Sequence, residues 1–103
     1  TATIRESLLE KAFELGERFI TASKEHYDPG IIGPFCLQTC IDKDMNYYIY
    51  DVAPRLGGGT NVHVSVGHPY GNATWRKPMS SGRRIAMELR MAAEQDRLLE
   101  VLT

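Results

Sequence analysis

Two strand-like runs joined by a short polar turn limit this chain more than anything else in it. "IIGPFCLQTCI" (31–41) and "MNYYIYDVA" (45–53) are rich in β-branched and aromatic residues, the composition of a pleated, half-buried surface. Asp42 to Met45 supply the turn. With Asp44 and Met45 at its tip, Gln38 falls opposite Asp51, Cys36 opposite Ala53 and Cys40 opposite Ile49. Partners across an antiparallel pair share a face, with Cβ atoms about 4.5–5.5 Å apart. An amide and a carboxylate then stand side by side, and "YIYDVAPRLGGGTN" carries the second strand straight from that carboxylate into a glycine-rich turn.

Helical patterns flank the hairpin. Thr3 and Glu6 have the spacing of a capping box. Leu8, Leu9, Ala12, Phe13, Leu15, Gly16, Phe19 and Ile20 follow at helical intervals, predicting a helix over about 4–25 that stops before "YDPG". Residues 55–80 read as a Gly- and Pro-rich loop with a short strand where Val62, Val64 and Val66 alternate, and "GHPYG" reads as a further turn. Ser80 or Ser81 caps a last helix over about 81–102, with a break possible near Gln95–Asp96. The order predicts an α+β fold, antiparallel strands packed against helices, in one segment spanning 1–103.

The totals exclude several classes. In 103 residues, 12 basic and 13 acidic side chains give a net charge of −1, which argues against nucleic acid and anionic membrane surfaces as partners. Nothing approaches a membrane-spanning apolar run, and charges interrupt the first residues, so the expected location is the cytoplasm. Cys36 and Cys40, four apart on a strand, stand roughly 13 Å apart, too far for a disulfide. The chain opens Thr-Ala-Thr, which suits processing or a piece of a longer protein.

Several residues are placed for chemistry. Gln38 and Asp51 offer two oxygens to a hard cation, a sparse set that suffices if a nucleotide phosphate supplies more; on spacing alone the plainer reading is a capped strand end, with Asp51 hydrogen-bonded to Arg55 or to loop N–H groups. Arg55, after Pro54, can fork onto a carboxylate or phosphate, or pair with Asp51. Gly57-Gly58-Gly59-Thr60-Asn61 can turn backbone N–H groups onto an anion, although the lysine of a Walker loop is missing. Arg83 and Arg84 stand where a helix dipole disfavours cations, an arrangement that suits a nearby anion. His63 and His68 are possible acids or bases with nothing to fix their separation.

Four segments, "RESLLEKAFELGERFI", "PGIIGPFCLQ", "YDVAPRLGGGTN" and "PMSSGRRIAMELRMA", together resemble the C-terminal part of the archaeal formate-dependent AICAR ligase family, PurP. AICAR is 5-aminoimidazole-4-carboxamide ribonucleotide. The resemblance implies the C-terminal portion of an ATP-grasp domain. It implies ATP and Mg2+ (or Mn2+) as cofactors, AICAR and formate as substrates, and FAICAR, the 5-formamido product, in IMP biosynthesis. Formate would be activated as formyl phosphate and then attacked by the AICAR amine.

On the same resemblance Gln38 and Asp51 take the metal positions, Arg55 a catalytic and nucleotide-binding one, and Gly59, Thr60, Asn61, Arg83 and Arg84 phosphate- or substrate-binding ones. Two departures stand out. Asp51 occupies a position where the family generally has Glu, and His68 one where its "GSPYS"-like stretch has a small residue. The nucleotide-clamping lysines of the upstream half have no counterpart here, so the chain alone is expected to be inactive. Its expected partners are the missing N-terminal part and further copies of the same protein. Two other readings fit the residues: a non-catalytic association domain derived from the fold, and a paralogous ligase with another acid or amine.

Overall fold

A computed structural model describes residues 4–59 and 63–102. Among them the order is α1 (Leu9–His26), β1 (Cys36–Ile41), β2 (Tyr47–Ala53), α2 (Pro69–Trp75) and α3 (Ser81–Glu94), with 3-10 turns at Glu6–Leu8 and Leu98–Glu100. This is the α+β class expected from the sequence. The chain divides into two compact units, Thr1–Arg55 and Leu56–Thr103.

In the first unit α1 is entered through the 3-10 turn rather than a side-chain cap, because neither Arg5 nor Leu8 has a capping side-chain hydrogen bond. The helix expected over 4–25 therefore starts as α-helix only at Leu9, and Thr3 of the proposed capping box lies outside the described residues. Past α1 the chain is drawn back onto it. Ser23 Oγ donates to the Ile20 carbonyl at 2.7 Å and accepts the Ile31 N–H at 3.0 Å. The Phe35 ring meets Phe19 with centroids 5.0 Å apart. Tyr47 at the start of β2 donates its hydroxyl to the Leu8 carbonyl at 3.2 Å. Among the described residues of this unit, Leu8 and Ala53 are the buried apolar ones.

The hairpin, Cys36–Ala53 rather than 34–54, is antiparallel, but its register is compound. Cys36 pairs with Ala53 and Gln38 with Asp51, as the turn had predicted. Closer to the tip, Thr39 pairs with Ile49 and Cys40 with Tyr48, so the expected Cys40–Ile49 pairing is displaced by one residue. The cause is the loop. Asp42 N–H donates to the Asn46 carbonyl at 3.1 Å and Met45 N–H to the Asp42 carbonyl at 3.1 Å, which makes Lys43–Asp44–Met45 a three-residue loop with Met45 left-handed at φ 63°, a common hairpin closure. The slip is absorbed by a bulge that leaves Tyr50 as an extra residue on β2.

The second unit departs most from expectation. The alternation expected to make a strand is described only from Val64 on, since Val62 lies outside the described residues: 63–66 is a turn, with Val64 and Val66 exposed. The Val64 carbonyl accepts from Ser81 N–H and the Val66 carbonyl from Asn72 Nδ2, so both are spent on brackets rather than a ladder. "HPYG" is not a turn but the start of α2, with Pro69 in its first turn and His68 Nδ1 accepting Tyr70 N–H at 3.3 Å. Proline there gives up an N–H that the helix could not have used. α2 ends at a left-handed Arg76, φ 54°. α3 is capped by Ser80 Oγ, which accepts Arg83 N–H at 3.2 Å. It stops at Glu94 rather than near 102, because Asp96 turns left-handed at φ 57°. Among the described residues here, Met79 and Ala92 are the buried apolar ones.

Candidate functional site

The two residues expected to hold a metal stand side by side. Gln38 and Asp51 are cross-strand partners, and the Gln38 amide Nε2 donates to Asp51 Oδ2 at 2.7 Å. That distance is typical of a hydrogen bond strengthened by a full charge. The pair lies open to solvent, so it is reachable and contributes little to stability. An amide and a carboxylate in this position present two oxygen donors once the amide rotates by half a turn, a motion the side chain makes without moving the backbone. Two oxygens are too few to cage a divalent ion. They do suit one whose other positions are filled by phosphate oxygens and water. No cluster of three or more His, Cys, Asp or Glu side chains capable of holding a metal occurs among the described residues.

Beyond the strand, Pro54 and Arg55 are exposed, and Arg55 engages a partner within the chain. In the second unit Gly58 and Gly59 are exposed and carry 3-10 geometry. Neither has the positive φ that an alternating-handed anion nest uses, so Gly58 and Gly59 are not bent around an anion in this conformation. Thr60 and Asn61 lie outside the described residues.

The two arginines of α3 divide. Arg84 is committed within the chain: its guanidinium reaches Glu88 at 2.6 Å, one helical turn on, and lies 5.2 Å from the centroid of the Trp75 ring. Those contacts offset the unfavourable helix end without any outside anion. Among the described residues the Arg83 guanidinium makes one long contact, Nη1 to the Pro78 carbonyl at 3.5 Å.

Residues that sequence reasoning missed are the ones that shape the chain around these positions. Asn72 brackets its unit from both ends: its Oδ1 accepts Met79 N–H at 2.8 Å, and its Nδ2 donates to the Val66 carbonyl at 2.9 Å. Gly67 has φ 82°, and a Cβ there would collide with the Met79 carbonyl and the Asn72 side chain. Asp42 gathers the hairpin tip. Its Oδ1 accepts N–H groups of Asp44 and Asn46, each at 2.9 Å. Its Oδ2 accepts Asn46 Nδ2 and the Tyr48 hydroxyl, each at 3.1 Å. The Asn46 bonds hold its carboxyl below the usual carboxylate range, and the Tyr48 phenol is pushed up by its bond to Asp42. The signal was present as an aspartate opening a turn before an asparagine, but its cross-strand reach to Tyr48 depends on the loop length.

A family model described as "Domain of unknown function (DUF1297)" matches residues 1–103. A 5-formaminoimidazole-4-carboxamide-1-(beta)-D-ribofuranosyl 5'-monophosphate synthetase of Saccharolobus solfataricus is 43% identical over 102 residues, 99% of this chain and 30% of that protein. The protein of the same description from Methanobrevibacter smithii is 39% identical over 102 residues, 99% of this chain and 28% of its own length. The crystal structure of an IMP biosynthesis protein PurP from Thermococcus kodakaraensis superposes with a TM-score of 0.81 at 40% identity, covering 99% of this chain and 33% of that one. The chain thus spans about 28–33% of the length of these proteins.

Proposed function

The chain belongs to the family described as DUF1297, and from that premise we propose that it is one wall of the active site of an ATP- and formate-dependent ligase that converts AICAR to FAICAR. The likeness to relatives named for the formylated product and to an IMP biosynthesis protein supports the substrate pair. The single observation that carries the chemistry is the Gln38–Asp51 pair, aligned across the hairpin and open to solvent.

Formate is a poor acyl donor because its leaving group would be oxide or hydroxide. Transfer of the γ-phosphoryl group of ATP to a formate oxygen gives formyl phosphate and ADP. The AICAR amine then attacks the formyl carbon, loses a proton, and phosphate departs. A divalent cation, when bound, neutralises charge on the oxygens between which the phosphoryl group moves. Gln38 and Asp51 are the residues that would hold it. Arg55 would bind phosphate or carboxylate oxygens at the strand exit, as nucleotide ligand and catalytic cation, and Gly59, Thr60, Asn61, Arg83 and Arg84 would serve the phosphate ends. Arg84 must leave or share Glu88 to do so, which makes Arg83 the stronger of that pair. The upstream part of the protein supplies the nucleotide clamp, and the chain alone is inactive.

His68 does not call for a different substrate. Its imidazole caps α2, a task that the serine of the family's "GSPYS"-like stretch can also perform, so the exchange is one acceptor for another. Asp51 is the substantive departure. Its carboxylate reaches about 1–1.5 Å less far than a glutamate would, one methylene on an extended chain.

ADP release by the complete gene product, given Mg-ATP and AICAR with and without formate, tests the reading. Release that needs both AICAR and formate is expected, and Asp51→Ala should lower it by roughly a hundredfold or more. Release indifferent to formate would overturn it.

A further inference from the structure

The hairpin tip makes a choice that the Gln38–Asp51 pair does not require. Two loop lengths join these strands and leave that pair intact. A two-residue turn at Asp44–Met45 sets Cys40 opposite Ile49 with no bulge. The three-residue loop sets Cys40 opposite Tyr48, with Tyr50 as the extra residue. Cross-strand partners share a face, so the loop decides whether Tyr48 or Ile49 stands on the face that carries Gln38 and Asp51. The structure places Tyr48 there, and Asp42 selects it. All four bonds to the Asp42 carboxylate, from Asp44, Asn46 (twice) and Tyr48, belong to the three-residue form. They also hold Met45 in a left-handed conformation that a non-glycine residue adopts only under constraint.

With its hydroxyl bound to Asp42, Tyr48 has only its ring to offer outward, and the residue is 53% exposed. Its partner Cys40 is two residues along β1 from Gln38, roughly 7 Å. Building on the ligase reading, we propose that the Tyr48 ring is a further binding surface of the site, taking the planar imidazole carboxamide of the acceptor substrate, and that Asp42 is the positioning residue that keeps it there. Flat conjugated heterocycles stack on such rings, whereas formate has no face to stack. The adenine of ATP is the less suitable occupant, because a ribose and two phosphates separate it from the transferred group. The acceptor ring must meet that group directly.

The test uses the complete gene product and AICAR as the probe, in calorimetric binding and in steady-state ADP release. Tyr48→Leu is expected to weaken AICAR about five- to tenfold in Kd and KM and to leave KM for ATP in place. Tyr48→Phe, which keeps the ring, should restore affinity. Should Tyr48→Leu aggregate, Tyr48→Ser reads the same loss. The register is read by oxidative trapping onto the native Cys40. Ile49→Cys alone should give no disulfide with Cys40, and adding Asp42→Ala should produce that cross-strand bond. Unchanged AICAR affinity in Tyr48→Leu, or KM for AICAR and ATP rising together with a lowered Tm, overturns the proposal, as does a wild-type protein that does not bind AICAR. If AICAR binds, weakens in Tyr48→Leu, and yet formate elicits no ADP, the ligase reading fails and the stacking surface stands.

Discussion

The hairpin and the α2–α3 segment solve the same problem, holding polar groups in place near the surface, by opposite means. In the hairpin, Gln38 and Asp51 are placed by backbone register, and the pair itself is an exposed hydrogen bond. In α2–α3 the path of the chain rests on brackets by single side chains, Asn72 above all, and on one glycine. A ladder spreads its cost over many bonds, so losing one side chain there should change function more than stability. A bracket concentrates its cost, so losing one side chain in the second unit should change stability first.

The largest effect should come from Gly67→Ala. A left-handed φ and a collision with the Met79 carbonyl are separate penalties, together about 2–3 kcal/mol or more. Thermal unfolding of the complete protein checks this, and an unchanged Tm would break the comparison. Asn72→Ala should follow, at about 1–3 kcal/mol, because it strips a partner from Met79 N–H and from the Val66 carbonyl. Asn72→Asp, which keeps an acceptor for Met79 and loses the donor to Val66, should lie between it and wild type in the same melt. Ser80→Ala should cost about 1 kcal/mol, the usual worth of a helix N-cap.

The smallest effect is the acid response of the hairpin tip. The folded-state pKa of Asp42 lies below its ordinary value, chiefly through the backbone bond from Asn46. Its contribution is therefore complete above the ordinary carboxylate range and is lost as pH falls through the lowered value. Carbon-13 titration of the Asp42 carboxyl should show a midpoint below that of an unconstrained aspartate, with the Asn46 amide moving at the same pH. A midpoint at or above the ordinary range would mean that the carboxylate does not hold the loop.

The same contrast explains what could be read in advance. α1 and α3 were legible because apolar spacing reports a helix whatever surrounds it, and Ser80 announced its own cap. The Gln38–Asp51 pairing was legible because register follows from a turn. The turn itself differs: a three-residue loop and a one-residue bulge cancel before Gln38, and they displace the pairings of Thr39, Cys40 and Ile41 alone. α2 was hidden because Pro69 and Gly71 are turn residues by composition, and seven residues are too few for periodicity to speak. Val64 and Val66 misled because alternation signals a strand only when one face is covered, and both are exposed. The commitment of Arg84 to Glu88 and Trp75 was open to a reader who weighed spacing of four on a helix, but the stacking on Trp75 needed the fold.

The bulge at Tyr50 has a consequence for how this segment can change over generations. Removing that one residue straightens β2 and leaves each cross-strand partnership from Cys36 to Ile41 as it stands. A single-codon deletion there is therefore expected to be tolerated by the Gln38–Asp51 pair, whereas the same deletion at Val52 would either displace the Cys36–Ala53 pairing or draw out the bulge and turn Asp51 away from Gln38. Relatives that differ in length within this hairpin should carry the difference at or near this position, and an alignment that opens its gap beyond Asp51 will set a residue other than the carboxylate opposite Gln38.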